Sequence, residues 1–425
     1  MRRLAHYVLR ASERCCLHTK VAQSFKTVLA IETSCDDTCL SILECDARPV
    51  SHRSRPKILH TTIARSLDQH EAYGGIHPIV AVRSHDAHMP CLVDEAKSFL
   101  QAHDRSVDLI CVTKGPGMRS SLQVGIDAAT GLSQELDVPL LGVHHMQAHA
   151  LTPRLLHDGP APAFPYISLL VSGGHTLLIR SLSIANHEIL ASTLDIAAGD
   201  MLDKVAKALK IPWQGSMPGA ALERWLSGQE ISAWQLSLPL HAKVNKGGKR
   251  YENMAFSFSG LGYSITKLLS KGSWTEEQRK ALGGEAMRLT FHHLAAKVAA
   301  SLTHQKQASW PTALVVSGGV ARNQYLREIL HETLARLAER EGAEPLQLIA
   351  PPLDLCSDNA TMIAWAGFEM LQAGQATSSQ SIVPRPKWPL DLLLSSDATF
   401  EEEMARRSRE SIVVRRARQN LLAVN

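Results

Sequence analysis

Short apolar runs punctuate the chain, and each stops at a cluster of small or polar residues. Val28-Leu29-Ala30-Ile31 runs into Glu32-Thr33-Ser34-Cys35-Asp36-Asp37-Thr38 and resumes as Leu40-Ser41-Ile42-Leu43, which predicts a β-hairpin with hydroxyls and carboxylates at its tip. Leu109-Ile110-Cys111-Val112 reads as a second buried strand, ending at Lys114-Gly115-Pro116-Gly117-Met118. Leu122, Ile126 and Ala129 then recur at helical spacing and predict a helix from about Ser121 to Leu136. Ile167 to Val171 and Ala313 to Val316 are again strand-like, and both are followed by a Ser-Gly-Gly turn, at 172–174 and 317–319.

Turns without Cβ atoms let backbone N–H groups approach a phosphate closely, so each Ser-Gly-Gly is a candidate anion cradle. A single one is more often only a tight turn. Two of them, with the polar hairpin near Asp36, suggest a nucleotide held between two lobes that each present loops to its phosphates. A chain of 425 residues, 45% hydrophobic, is long enough for two such lobes. Runs such as Ile167 to Val171 fall far short of the roughly 20 apolar residues a membrane-spanning helix needs, so no membrane association is expected.

Charge changes the picture at the ends. The net +4 is uneven: residues 1–27 carry Arg2, Arg3, Arg10, Arg14, Lys20 and Lys26 against Glu13 alone, a net of +5, which leaves −1 for the rest. Arg3, Arg10 and Arg14 share one helical face beside Leu4, Val8, Ala11 and Cys15, the composition of a mitochondrial transit peptide. Past Leu390 the core pattern fades into Glu401-Glu402-Glu403 and an Arg-rich tail, and residues 241–254 form a basic, Gly-containing stretch. Both read first as solvated segments and second as contacts for an anionic partner. The eight cysteines show no CxxC pair and are expected to be free thiols.

His145 and His149 stand four apart, so on a helix their rings project from one face and can share a metal ion. With 20 histidines, about one such pair arises by chance, and a third ligand is needed. Asp358 is the candidate, because it precedes the apolar Met362-Ile363-Ala364-Trp365 helix and can cap it while facing a cleft. Its alternative is helix capping alone. Met146 follows the first histidine where a metalloprotease helix carries Glu.

Seven segments then fall in a particular order: Ala30 to Thr38, Gly115-Pro116-Gly117, His145-Met146-Gln147-Ala148-His149, Leu170 to Thr176, Phe256 to Leu261, Ser317 to Asn323, and Cys356 to Ala364. In this the chain resembles the tRNA threonylcarbamoyladenosine transferase family, over about residues 28–388, and its leader is similar to that of the organellar members. The resemblance implies an α/β fold of the actin-like, Hsp70-like and sugar-kinase type, two lobes of duplicated ribonuclease-H-like units. The expected organisation is a transit peptide over 1–27, an N-terminal lobe over 28–145, a C-terminal lobe over 146–354, closing helices over 355–390 and a charged tail over 391–425. It further implies one divalent ion on His145, His149 and Asp358, with zinc or iron expected and magnesium as the alternative. The donor, threonylcarbamoyl-adenylate, is implied to lie against Leu170, Val171, Ser172, Gly173 and Gly174, with Asp203, Gly219 and Asn323 on its adenosine. The acceptor is the adenosine next to the anticodon in tRNAs reading codons that begin with adenine, and a homodimer in the mitochondrial matrix is expected. Ser120, Gln147, Ile79 and Ile196 depart from the family pattern, without removing an implied ligand.

The chemistry fits those residue types. An exocyclic amine is a weak nucleophile and a carbamoyl-phosphate anhydride an activated acyl donor, so the site must chiefly position and stabilise charge. Asp36 is the candidate for assisting proton removal or for a water-mediated metal contact; a turn-stabilising carboxylate is its alternative. The rival readings are an actin-like ATPase or small-molecule kinase, a metallopeptidase, and a nucleotide-binding scaffold without activity.

Overall fold

The computed structural model describes residues 25–48, 54–71, 73, 75–155, 161–213, 216–227, 239, 254–303, 311–375, 382–396 and 398–409. Residues 1–24 of the expected leader, the basic stretch at 243–250 and the tail beyond 409 lie outside these, whereas residues 25–27, counted with the leader, begin the first strand and pair with residues 44–46 of the second. The first half contains β1 (Phe25–Glu32), β2 (Thr38–Asp46), β3 (Lys57–Ala64), α1 (Leu67–Glu71), α2 (Pro78–Ala102), β4 (Leu109–Gly115), α3 (Arg119–Leu136), β5 (Leu140–His144) and α4 (His145–Leu151). There follow β6 (Tyr166–Val171), β7 (Thr176–Ser181), β8 (His187–Ser192), α5 (Ala198–Ala208), α6 (Pro218–Trp225), α7 (Ser259–Leu269) and α8 (Glu276–Thr303). β9 (Ala313–Ser317), α9 (Gln324–Glu341), β10 (Gln347–Ile349), α10 (Leu353–Cys356) and α11 (Ala360–Gln372) close the series.

Two five-stranded sheets carry the same topology, β3-β2-β1-β4-β5 and β8-β7-β6-β9-β10. In each, an antiparallel three-stranded meander is extended by two parallel strands. β1 is equivalent to β6, and β4 to β9. This repetition is the two-lobed α/β architecture expected from the sequence.

Strand alternation decides what each face packs against. Leu29 and Ile31 point into a core with Met89, Leu92 and Leu100 of α2 and Leu122, Ile126 and Leu132 of α3. Their neighbours Val28 and Ala30 point the other way, into a core with Ala148 and Leu151 of α4 and Met362, Ile363 and Phe368 of α11. The last long helix therefore returns to the first sheet, across about 200 residues that build the second. The second sheet packs one face on α5 to α9, around Leu169, Met201, Phe256, Phe291 and Leu326. Met146 of α4 joins its other face, against Leu170 and Ile179. α4 thus lies between the sheets.

The predicted hairpin forms as β1 and β2, and the helix after β4 begins two residues earlier than its apolar pattern indicated. Both Ser-Gly-Gly turns lie on the second sheet, side by side, because β6 and β9 are parallel neighbours with Leu170 opposite Ser317. Gly318 (φ +99°) approaches the backbone of Val171 so closely that a Cβ there would collide with its carbonyl. The corresponding strand ends on the first sheet carry Glu32-Thr33-Ser34 and Lys114-Gly115-Pro116-Gly117 instead.

Candidate active site

α4 places its two histidines from the first turn onward. His144 is its N-cap: Nδ1 accepts from the N–H groups of Met146 (3.1 Å) and Gln147 (3.4 Å), while Nε2 donates to the Trp388 carbonyl at 2.8 Å. One turn apart on this fixed helix, His145 and His149 present Nε2 to the same oxygen, Asp358 Oδ1, at 3.4 and 3.0 Å. The three ligand atoms lie within 4.8 Å of one another, so the group could hold a metal ion. Both rings are buried, whereas the Asp358 side chain keeps 32% exposure and opens the cluster on one side.

The cap of α11 does not use Asp358. Asn359, not Asp358, caps it, its Oδ1 accepting from Met362 N–H at 2.9 Å. The expected capping by Asp358 is therefore corrected by one residue, which leaves its carboxylate for the histidines. Gln147 turns away from the cluster and donates to the Ile184 carbonyl at 2.8 Å.

Glu32, unassigned from the sequence, stands behind this group. Its Oε2 is 3.1 Å from His145 Nδ1, Oε1 accepts from Ser34 N–H at 2.5 Å, and Thr113 Oγ1 donates to Oε2. Such a carboxylate behind a ligating imidazole fixes ring orientation and tautomer. Burial works against charge throughout the cluster. It is outweighed at His145, raised to about 10 by Asp358 and Glu32, while the imidazolium holds Glu32 below and Asp358 well below the usual carboxylate range. Two carboxylates around two neutral imidazoles carry two negative charges, of which a single proton on His145 offsets only one. A divalent ion suits that charge and this nitrogen-rich donor set better than a retained proton, and the buried His149 Nδ1 has no hydrogen-bond partner that competes for its orientation.

Asp36 sits at the hairpin tip, near enough to Asp358 to feel its charge; burial raises its carboxyl, and Ser66 Oγ donates to its backbone carbonyl. His175, next to the first Ser-Gly-Gly, faces His145 with ring centroids 6.3 Å apart; burial, then His145, pushes it down to about 4 and keeps it neutral.

The remaining expected residues gather on the second sheet. Leu170 and Val171 are buried in β6. In the turn beyond, Ser172 Oγ accepts from Gly174 N–H (3.2 Å) and His175 N–H (3.0 Å), and the Gly173 nitrogen lies against Gly199, where an added Cβ would come within 2.7 Å of it. Open space surrounds the Cα atoms of Gly173 and Gly174. Asp203 of α5 accepts from Gly219 N–H at 2.6 Å, at the start of α6. Asn323 caps α9 through Leu326 N–H at 3.1 Å and is also hydrogen-bonded to Glu223, one turn after Gly219. Asp203, Gly219, Glu223 and Asn323 thus form one polar group beside the paired turns. Glu223 was missed from the sequence; its signal was a carboxylate on the apolar-flanked face of a short helix.

A family model described as TsaD, tRNA N6-adenosine threonylcarbamoyltransferase, matches residues 57–365. The chain belongs to this family. Among threonylcarbamoyltransferases, a mitochondrial one from Schizosaccharomyces pombe is 39% identical over 389 residues, 90% of this chain and 91% of that protein. One from Rhizobium etli strain CIAT 652 is 36% identical over 373 residues, 86% and 95% of the two chains. Among solved structures, HypF of T. kodakarensis shares the fold with a TM-score of 0.52 at 13% identity, over 84% of this chain and 49% of HypF. The threonylcarbamoyltransferase assignment rests on the sequence relatives; HypF speaks to the fold alone.

Proposed function

We propose that this chain transfers the threonylcarbamoyl group of threonylcarbamoyl-adenylate to the exocyclic amine of a tRNA adenosine, forming threonylcarbamoyladenosine and releasing AMP. The observation that carries the reading is the convergence of His145, His149 and Asp358 between two sheets, beside a second polar group built from Asp203, Gly219, Glu223 and Asn323, in a member of the threonylcarbamoyltransferase family. The acceptor is the adenosine next to the anticodon of tRNAs reading codons that begin with adenine.

In this reading the amine nitrogen attacks the carbamoyl carbon, the bond from that carbon to the phosphate oxygen breaks, and the amine gives up a proton. The paired glycine turns receive the phosphate, whose charge rises as AMP leaves. Asp203, Glu223 and Asn323 grip the adenosine of the donor, and Leu170 and Val171 fix the level of the turn above it. Asp36 accepts the amine proton, directly or through a water. His145, His149 and Asp358 would hold a divalent ion, zinc or iron before magnesium, which would supply Lewis-acid polarisation of the threonylcarbamoyl group. Glu32 orients His145 for it.

The lobes run over 28–145 and 146–354, with 355–390 returning to the first, and the active species is a homodimer. Residues 1–27 are a transit peptide and the site of action is the mitochondrial matrix, in line with the relative from Schizosaccharomyces pombe. Among the described residues no helix is long and apolar enough to cross a membrane. The test is reconstitution: metal-loaded protein, donor adenylate and unmodified tRNA should yield the modified nucleoside and AMP. Robust ATP hydrolysis without tRNA, and no modified nucleoside, would replace this reading with the kinase-like one.

A further inference from the structure

We infer that a basic ridge made by residues 114–119 and 385–387 binds the tRNA backbone on one side of the reacting adenosine, an assignment that rests on the transferase reading above. Lys114 is the next-to-last residue of β4, Arg119 opens α3, and Arg385 and Lys387 lie on the segment that leads to Trp388. The two segments are zipped together: Arg385 N–H donates to the Lys114 carbonyl at 2.8 Å and Gly117 N–H to the Pro386 carbonyl at 3.2 Å. Gly115 (φ +150°) permits this, because a Cβ there would collide with the Arg385 backbone. Four cations from stretches some 270 residues apart therefore share one ridge, and neither 114–119 nor 382–388 contains a carboxylate.

The ridge adjoins the metal cluster at two points. Met118 N–H donates to the Ser34 carbonyl at 3.0 Å, and Ser34 Oγ is 3.3 Å from His145 Nδ1. On the other segment, the Trp388 carbonyl accepts from His144. Lys114 and Arg385 are held over the buried Trp388 ring, at 5.6 and 5.1 Å from its centroid, while Arg119 and Lys387 stand exposed at the rim. α3 adds to the positive end: it has no side-chain cap and no acid in its first turn.

An internal adenosine cannot reach the cluster without bringing its flanking phosphates, and those must be held to fix the base. The donor's own phosphate is taken by the glycine turns of the second sheet, so the ridge on the first sheet is left for the acceptor. Outside the leader the chain nets −1, so its attraction for a polyanion must be local. Among the described residues of the Arg-rich tail, Arg406 and Arg407 pair with Glu403, and Arg407 also with Asp391.

The experiment compares full-length metal-loaded protein with the double variant Arg119→Glu/Lys387→Glu, both exposed positions, and with Arg119→Lys/Lys387→Arg. Binding of unmodified tRNA is measured across a salt series, and donor-adenylate binding and metal content are measured in parallel. The charge-reversed variant should lose tRNA affinity on the order of tenfold or more, with the log-affinity against log-salt slope shallower by about two. Donor affinity and metal content should stay at the wild-type level, and the charge-conserving variant should bind tRNA normally. Unchanged tRNA affinity and slope in the charge-reversed variant overturn the ridge while wild-type nucleoside formation leaves the transferase reading standing. Loss of donor binding together with tRNA binding also overturns it, since the ridge would then be part of the donor site.

Discussion

Glu32 and His145 meet at 3.1 Å behind the cluster of His145, His149 and Asp358, carboxylate to Nδ1, so that Nε2 is the nitrogen left to face Asp358. The pair is buried, and Glu32 is pinned by Ser34 and Thr113, which gives the imidazole one orientation rather than several. A ligand held this way arrives without a search over rotamers.

Glu32→Gln should therefore weaken metal binding by about 10- to 100-fold while leaving donor binding intact. Competition with a coloured chelator reads the first and calorimetry with the donor analogue the second. An unaltered metal affinity would reduce Glu32 to a packing residue.

Replacing His145, His149 or Asp358 singly by Ala should remove metal and transfer activity together, because an incomplete shell holds the ion weakly. Elemental analysis of the purified variants checks the metal, and nucleoside analysis of the tRNA product checks the activity. Full metal content in all three would dismiss the cluster as a metal site.

Burial pushes Asp203 up to about 6, against the opposing Gly219 N–H and Lys207. A carboxyl whose folded value lies above its unfolded one stabilises the fold fully below about pH 4 and loses that contribution as pH rises through about 6. Asp203→Asn should flatten the fall of stability between pH 4 and 7 and raise the KM for the donor more than that for tRNA. Denaturant titrations at three pH values, with donor and tRNA saturation curves, test both parts.

Arg154 and Glu369 tie the chain just beyond α4 to α11 through a buried ion pair at 2.9 Å, with Arg154 also stacked 4.7 Å from the Phe164 ring centroid. Removing one partner, as in Arg154→Met, should destabilise the fold by about 3–5 kcal/mol, because Glu369 is left charged and buried. The double variant Arg154→Met/Glu369→Leu should recover much of that loss. Urea unfolding of the three variants separates an ion-pair effect from plain loss of packing.

If residues 1–27 are a transit peptide, the mature protein from mitochondria should begin near residue 28, and protein lacking the leader should retain full activity in vitro. N-terminal sequencing of the organellar protein decides; an intact Met1 there is the contrary result.

Much of this was legible in the chain. The hairpin tip, the two Ser-Gly-Gly strand ends and the His145/His149 spacing are local patterns, and local patterns survive folding. What escaped depended on strand order and on distant partners. Nothing in the sequence of Ser172-Gly173-Gly174 and Ser317-Gly318-Gly319 tells that β6 and β9 are neighbours, so that the two turns stand side by side within the 146–354 lobe is visible only in the strand order. Glu32 looked like one more polar residue of a turn, because its partners Thr113 and His145 are 81 and 113 residues away. The cap of α11 was misplaced by one residue since Asp358 and Asn359 are both good N-caps, and only the histidines decide between them.

The return of α11 to the first sheet also sets an order of events in time. His145 and His149 leave the ribosome about 200 residues ahead of Asp358, so a growing chain carries an open, two-nitrogen half-site through about half of its synthesis. On the proposed metal site, loading is then a late step, coupled to completion of the polypeptide, and a chain truncated before residue 358 should emerge without a stably held ion.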